Sequence, residues 1–462
     1  MIGRNFISRQ QVITLFATLA GVALVIVLAN PNIIWQVRAA LFGAAGLAAL
    51  FLSAREISLR LHLYLALLTL AFGWRTAQIG GVILDVQQAI AWSLLVHMFV
   101  YSMVRRNELR VRGVWLMLVT IPVSVLGLLT GWSYGRSITA MLSELGPLVL
   151  SIPVIVGLSI LVRSRKDFKG VAHVLMFVIL LIATPGIIGY VFPTAGSTFY
   201  RADQGFVRAN FPLWGGSVAG YALTPLILLI IPFILLRGHG GLWKQLTWLT
   251  VGVGLVAVFL SGQRGAWIAF ATSIVTFAFF IRKWRIQVLI ALFVIWLLLP
   301  ASVKYSLISV TDVSQKTAYN SSASKRFNRA EGTYSLIIQS PLIGSGVGAS
   351  GWAHTDVLQI AANFGIPAAV LLLLSWFWPI KAIVCVRSSE LYTAGVAYDE
   401  LLIRGGLLAA AVASVILLAT QALIVISALA LPVWIVIGLL HAESQIIETE
   451  CISTLPVISQ QG

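Results

Sequence analysis

The 462-residue chain is 59% hydrophobic and only 10% charged, with 31 Lys and Arg against 15 Asp and Glu for a net charge of +16. A soluble domain carries about 25% charged residues, so one large water-soluble core is excluded, and with it the nucleic-acid partner such basicity would suggest there. Apolar runs long enough to cross about 30 Å of hydrocarbon recur throughout, and irregular backbone cannot face lipid unsatisfied. At the start, Arg4 and Arg9 precede an apolar run that is followed by further spans and lacks a convincing cleavage site, so it reads as a first helix, not a leader. Candidate spans then follow at residues 12–29, 33–53, 57–79, 82–104, 114–133, 138–162, 171–189, 217–236, 246–261, 265–281, 286–300, 356–379, 404–420 and 423–440. Gln421 is the one polar break between the last two. The expectation is an all-α polytopic membrane protein of 12–14 transmembrane helices, forming one integral membrane domain over residues 1–462.

Orientation follows from the basic connections. Arg105, Arg106, Arg110 and Arg112 lie in one, Arg163, Arg165, Lys166 and Lys169 in a second, and Arg282, Lys283 and Arg285 in a third. Each falls an even number of spans after the start, so the Lys/Arg bias places all three in the cytoplasm with Arg4, Arg9 and Arg55. The same parity puts residues 190–216, the tight turn at 261–264 and the long connection 301–355 outside. Long loops are often functional, and a helical stretch from Arg326 to Gln339 stops at Pro341. Cys385 and Cys451 are too few for a disulfide framework or a metal site.

Several outward residues carry chemistry. Arg264, in SGQRGAWIAF, stands at a membrane boundary, where an arginine snorkels, pairs or lines a polar cavity. A guanidinium there suits bidentate grip of a phosphate or carboxylate. Arg326 and Arg329 fall on neighbouring turns of one helix face, with Glu331 close enough to pair; the plainer alternative is a surface ion-pair set on an interfacial helix. The PLIGSGVG segment, Pro341 to Gly348, lacks the lysine of a nucleotide loop and follows no soluble strand, so it reads as a flexible or tightly turned link. His354 opens the next span, with Asp356 placed to cap it and Gln359 just deeper; histidine is the natural base near neutral pH, though a lone interfacial His is more often just polar. Arg201, Asp203 and Arg208 add charge to the 190–216 loop. Together, Arg201, Arg208, Arg264, Arg326, Arg329 and His354 form a basic outer face, opposite to what orientation rules favour. An anionic substrate at the outer leaflet explains it.

These residues resemble the O-antigen ligase and polymerase superfamily of bacterial envelope glycosyltransferases. SGQRGAWIAF is similar to its arginine-glycine segment opening a span. RFNRAEGTYSLIIQSPLIGSGVG is similar to its arginine, amphipathic helix and Pro-Leu-x-Gly-x-Gly pattern, and HTDVLQIAANFG to its histidine-led late span. Thr355 stands where Asn is usual, and residues 330–334 lack the customary Trp. The resemblance implies a GT-C-like glycosyltransferase bundle in the bacterial inner membrane, its active face periplasmic, working as a monomer among membrane lipids with no metal or other cofactor and no nucleic acid. It implies an undecaprenyl-pyrophosphate-linked glycan donor, with Arg264 and Arg326 on the pyrophosphate and His354 on the acceptor hydroxyl. Arg208 lies where such enzymes often place a further loop arginine, Arg329 and Arg201 would assist, and Asp356 and Gln359 would support the site. The acceptor is a lipid A core for a ligase, the reading preferred, or a second lipid-linked glycan for an O-antigen or exopolysaccharide polymerase. A lipid-linked glycan or anionic solute transporter or flippase is the rival. It predicts internal inverted repeats and midplane charges; the deep parts of the spans carry few charges and no convincing repeat.

Overall fold

A computed structural model describes residues 56–72, 76–79, 82–105, 119–193, 198–201, 206–211, 218–236, 241–281, 285–298, 304, 318–349, 355–388, 398–421 and 427–454. The expected spans at 12–29 and 33–53 lie outside the described residues. Helix α1 (Glu56–Leu68) continues as a 3-10 turn (Thr69–Phe72) into the antiparallel hairpin β1 (Thr76–Ile79) and β2 (Val82–Asp85), which leads into α2 (Val86–Arg105). The helices that follow are α3 (Thr120–Ser133), α4 (Ile138–Val149), α5 (Ser151–Leu161) and α6 (Arg165–Val191). A second hairpin, β3 (Thr198–Arg201) and β4 (Phe206–Ala209), precedes α7 (Ala219–Leu235), α8 (Gly241–Leu260), α9 (Arg264–Phe280) and α10 (Arg285–Leu298). The last helices are α11 (Ala318–Gln339), α12 (Asp356–Phe364), α13 (Ile366–Phe377), α14 (Ile380–Ser388), α15 (Tyr398–Thr420) and α16 (Ser427–Thr454).

The architecture is helix-rich and multi-pass. Among the described residues, five helical stretches are long and apolar enough to cross a membrane: residues 138–161, 165–191, 241–260, 398–420 and 429–449. Shorter apolar helices, α7 and α9 among them, complete the bundle. Burial sorts the long helices into layers. The apolar stretches of α16 and α15 are 89% and 72% buried by other helices, whereas that of α8 is only 33% buried and keeps one face for lipid. Helix α7, buried along nearly its whole length, packs on α15 and α8, and α15 packs in turn on α9. Small residues permit the approach: a Cβ on Gly406 of α15 would lie 2.8 Å from Pro232 Cδ of α7. In lipid, where tails are as apolar as side chains, such close packing is what drives helices together.

Two expected spans are corrected and a third carries an internal break. The run at 57–79 is not one helix; its helical part ends at Phe72 and Thr76–Ile79 is a strand paired with β2. The run at 138–162 stands as one apolar stretch over residues 138–161, interrupted only at Leu150, between Pro147 and Pro153. The run at 356–379 breaks at Gly365, whose φ of 85° suits glycine, with Pro367 starting the next helix. By contrast, the helix break at Gln421 separates α15 from α16 as expected.

At one end of the bundle, charged residues are paired, not merely solvated. Arg60 bonds Asp167, whose other oxygen accepts from Ser164 Oγ at 2.8 Å. Glu443, fully buried on α16, accepts from Arg404 Nε of α15 at 2.7 Å and from Arg165 Nη2 of α6 at 3.0 Å. Glu400 lies 3.7 Å from Arg404. The sequence reading gives Arg165 only an orienting role; it also ties three helices through one carboxylate.

Candidate functional site

The opposite end of the bundle gathers the turn between α3 and α4, the β3–β4 hairpin, the turn between α8 and α9, the start of α12 and the end of α15. The α8–α9 turn is built from its own polar atoms. Ser261 Oγ and Trp267 Nε1 both donate to Val258 O, at 2.7 and 3.0 Å, and Gly262 takes a φ of 63° that its lack of a Cβ allows. Gln263 precedes α9 and accepts at 2.5 Å from Tyr221 Oη of α7. This fixes Arg264 as the first residue of α9, at the positive end of its dipole, where an added guanidinium strengthens attraction for an anion.

The start of α12 meets that turn through Gln421. The Asp356 N–H donates to Gln421 O at 3.2 Å. From the other side, a Cβ on Gly265 would lie 3.1 Å from Gln421 Nε2. The residue after Arg264 and the first residue of α12 thus flank one glutamine, although more than ninety positions separate them in the chain. Thr355, not Asp356, is the N-cap residue of α12, with φ −139° and ψ 125°. Asp356 is instead the first helical residue, 1% exposed, in a first turn where a carboxylate complements the helix dipole.

The glycine-rich segment after α11 is a packed crossing. Ser345 and Gly346 donate their N–H groups to Ala362 O and Asn363 O at 2.7 and 3.1 Å, satisfying carbonyls that the end of α12 leaves open. Val347 N–H donates to Gly127 O of α3 at 3.0 Å. Gly344, Gly346 and Gly348 all have positive φ, and a Cβ on Gly346 would lie 2.5 Å from Gly131 Cα. The tightly turned alternative holds and the flexible one does not: these glycines let backbone touch backbone between α3 and α12.

Two further residues, silent in the sequence reading, complete this end. Arg136, in the α3–α4 turn, bonds Gly348 O through Nη1. Glu144 of α4 accepts from Gln359 Nε2 at 2.6 Å and Asn363 Nδ2 at 2.8 Å, so one carboxylate oxygen holds two amides a turn apart on α12. Glu144, Asp356, Gln359 and Asn363 line a small cavity with a floor that includes Leu148, Ile360 and Phe364. A lone acid in the expected 138–162 span was the available signal, but its partners lie over two hundred residues away.

The expected arginines fall on three further elements. Arg326 and Arg329 lie on α11, which packs on α12; Arg329 is exposed. Arg208, on β4 opposite Phe199, is 1% exposed, and β4 rests on α6 and on α8, the helix leading into the Arg264 turn. Arg201 closes β3, opposite Phe206. His354 and Asp203 lie outside the described residues, and among those described no group of three His, Cys, Asp or Glu side chains could hold a metal ion.

A family model described as O-antigen ligase matches residues 249–373. This chain carries an O-antigen ligase domain. The domain runs from the second half of α8 into α13, so it contains Arg264, Arg326, Arg329, His354, Asp356 and Gln359. Arg201, Arg208, Arg136, Glu144 and Gln421 fall outside the matched O-antigen ligase segment yet build the same end of the bundle. No curated protein matches the chain. The match over residues 249–373 is consistent with glycan transfer.

Proposed function

We propose that the protein is a GT-C-like membrane glycosyltransferase of the bacterial inner membrane. It moves an undecaprenyl-pyrophosphate-linked glycan onto an acceptor hydroxyl at the periplasmic face and releases undecaprenyl pyrophosphate. The observation that carries this reading is the meeting at Gln421, which brings the Arg264 turn against the head of α12, two residues beyond His354. The arginines named from the sequence supply the cationic half of such a site, and the helix-opening histidine the acceptor half.

The chemistry is a displacement at the anomeric carbon. The acceptor oxygen forms a bond to that carbon as the bond to the pyrophosphate oxygen breaks, and the acceptor proton leaves to His354. Charge develops on the departing phosphate oxygen. Arg264, held at a helix start by a braced turn, stabilises it without reorganising, which is where fixed cations lower a barrier most, and Arg326 supplies a second positive charge. Arg329, Arg208 and Arg201 extend the positive field over the glycan-lipid headgroup. Asp356 and Gln359 hold the head of α12 in place, Asp356 through its backbone bond to Gln421 and Gln359 through Glu144.

The test is transfer by the purified protein with lipid-linked glycan, with and without lipid A core. Product that requires core is the expected ligase outcome, and chain extension without core identifies a polymerase. No product in either arm, or full activity in Arg264→Ala, Arg326→Ala and His354→Ala proteins that insert normally, refutes glycan transfer at this site.

A further inference from the structure

We infer that the cavity between α4 and α12 is a subsite for a sugar hydroxyl, with Glu144 and Gln359 as its acceptors; this rests on the glycan-transfer reading and extends it to residues outside the O-antigen ligase segment. The cavity offers ≈ 20 Å³ to the centres of water-sized groups, room for a hydroxyl arm and not for a sugar ring. Gln359 is 5% exposed and spends its amide N–H on Glu144 Oε1. Its own Oε1 is buried and has no hydrogen-bond partner among the described residues, a costly state for a buried carbonyl. The amide of Asn363 also turns its N–H toward Glu144. Glu144 and the Gln359 carbonyl therefore make the polar wall one of oxygen acceptors, since both amides point their donors at the carboxylate.

Such a wall selects by charge and by donor count. A phosphate brings more acceptors and a like charge, and is repelled. A hydrated cation would need six or more oxygens to replace its shell, while Leu148, Ile360 and Phe364 leave much of the lining apolar. A neutral hydroxyl needs one or two acceptors beside an apolar surface against which the C–H face of a sugar can rest. Asp356 lines the cavity and also marks the head of α12, where the Arg264 turn meets Gln421. Phosphate recognition and hydroxyl recognition thus fall on two sides of one short helix.

Binding by the purified full-length protein tests this, using three probes: a dephosphorylated, deacylated core oligosaccharide, the glycan released from the lipid-linked donor, and inorganic pyrophosphate. Glu144→Gln turns the outer acceptor into a donor while keeping an oxygen for the two amides, Gln359→Leu removes the unpartnered carbonyl, and Leu148→Phe fills the space. Each is expected to weaken one oligosaccharide on the order of tenfold, the loss of a hydrogen bond to a charged or buried group, and to leave pyrophosphate unchanged; Arg264→Ala should do the reverse. Which oligosaccharide weakens says whether the acceptor or the donor sugar occupies the subsite. Unchanged binding of both in the folded variants, wild-type protein that binds neither, or an equal loss of pyrophosphate overturns the inference. Oligosaccharide binding that depends on Glu144 in a wild-type protein that transfers nothing would instead refute the glycan-transfer reading and leave the subsite standing.

Discussion

Replacing Gly346 and Gly348 separately by alanine isolates the value of the crossing between α3 and α12. Both glycines have positive φ, 81° and 84°, so both variants pay the backbone cost of an L-residue there, about 1–2 kcal/mol. Their surroundings differ. A Cβ at 346 would be 2.5 Å from Gly131 Cα, and both atoms belong to backbone that has nowhere to retreat; at 348 the nearest atom is Arg136 Cδ at 3.6 Å, an ordinary contact. Overpacking of this kind costs a further 1–3 kcal/mol or so. Gly346→Ala should therefore lose roughly 2–5 kcal/mol and Gly348→Ala roughly 1–2 kcal/mol. Gly131→Ala, in helical backbone without that strain, would meet Val347 O at 2.8 Å from the other side and should lose only the overpacking part, about 1–3 kcal/mol. Thermal unfolding of the three proteins in one detergent or nanodisc gives the ranking, and transfer assays should show the larger activity loss for Gly346→Ala, because the segment also holds the end of α12. Equal stability of the 346 and 348 variants would refute the packed crossing and restore a flexible link.

Other outcomes follow from the same structure. Glu443→Gln should cost about 3 kcal/mol, since it leaves buried Arg404 and half-buried Arg165 with only the more distant Glu400 as counter-charge; lower melting temperature with normal turnover per folded molecule is the expected pattern, and unaltered melting would show that the network contributes nothing net. Arg264→Lys should recover little of the hundredfold or so lost in Arg264→Ala, because a point charge cannot reproduce a bidentate fork; full recovery in steady-state transfer would contradict that role. Tyr221→Phe removes the bond to Gln263, worth about 1 kcal/mol, and should lower transfer several-fold without affecting insertion, whereas an unchanged rate would show that this bond does not hold the α8–α9 turn.

Legibility in the sequence tracks the range of the interactions involved. Long apolar helices declare themselves locally, and α6, α8 and α15 lie close to where hydropathy alone puts them. The Gln421 break is equally local. What escapes is anything decided across the chain. Glu144 reads as a stray acid in an apolar run because the amides that hold it belong to α12, and Arg165 reads as loop charge because Glu443 is 278 positions away. The glycines after Pro341 announce positive φ but not that α3 lies against them. Hairpin β1–β2 was within reach, since Gly80-Gly81 between β-branched and apolar residues is a turn signal that high hydropathy masked. For the candidate site, charge on an unexpected face is what singles out the arginines and the histidine as candidates, whereas Gln421 and Arg136 act largely through the backbone they touch and carry no residue-type signature.

Glu443 has a mechanical consequence. By clamping α6, α15 and α16 at one extremity, it makes that extremity the fulcrum of the bundle. Helices pinned at their base can still spread at their tips, and Gln421, at the far tip of α15, is where such spreading has greatest leverage.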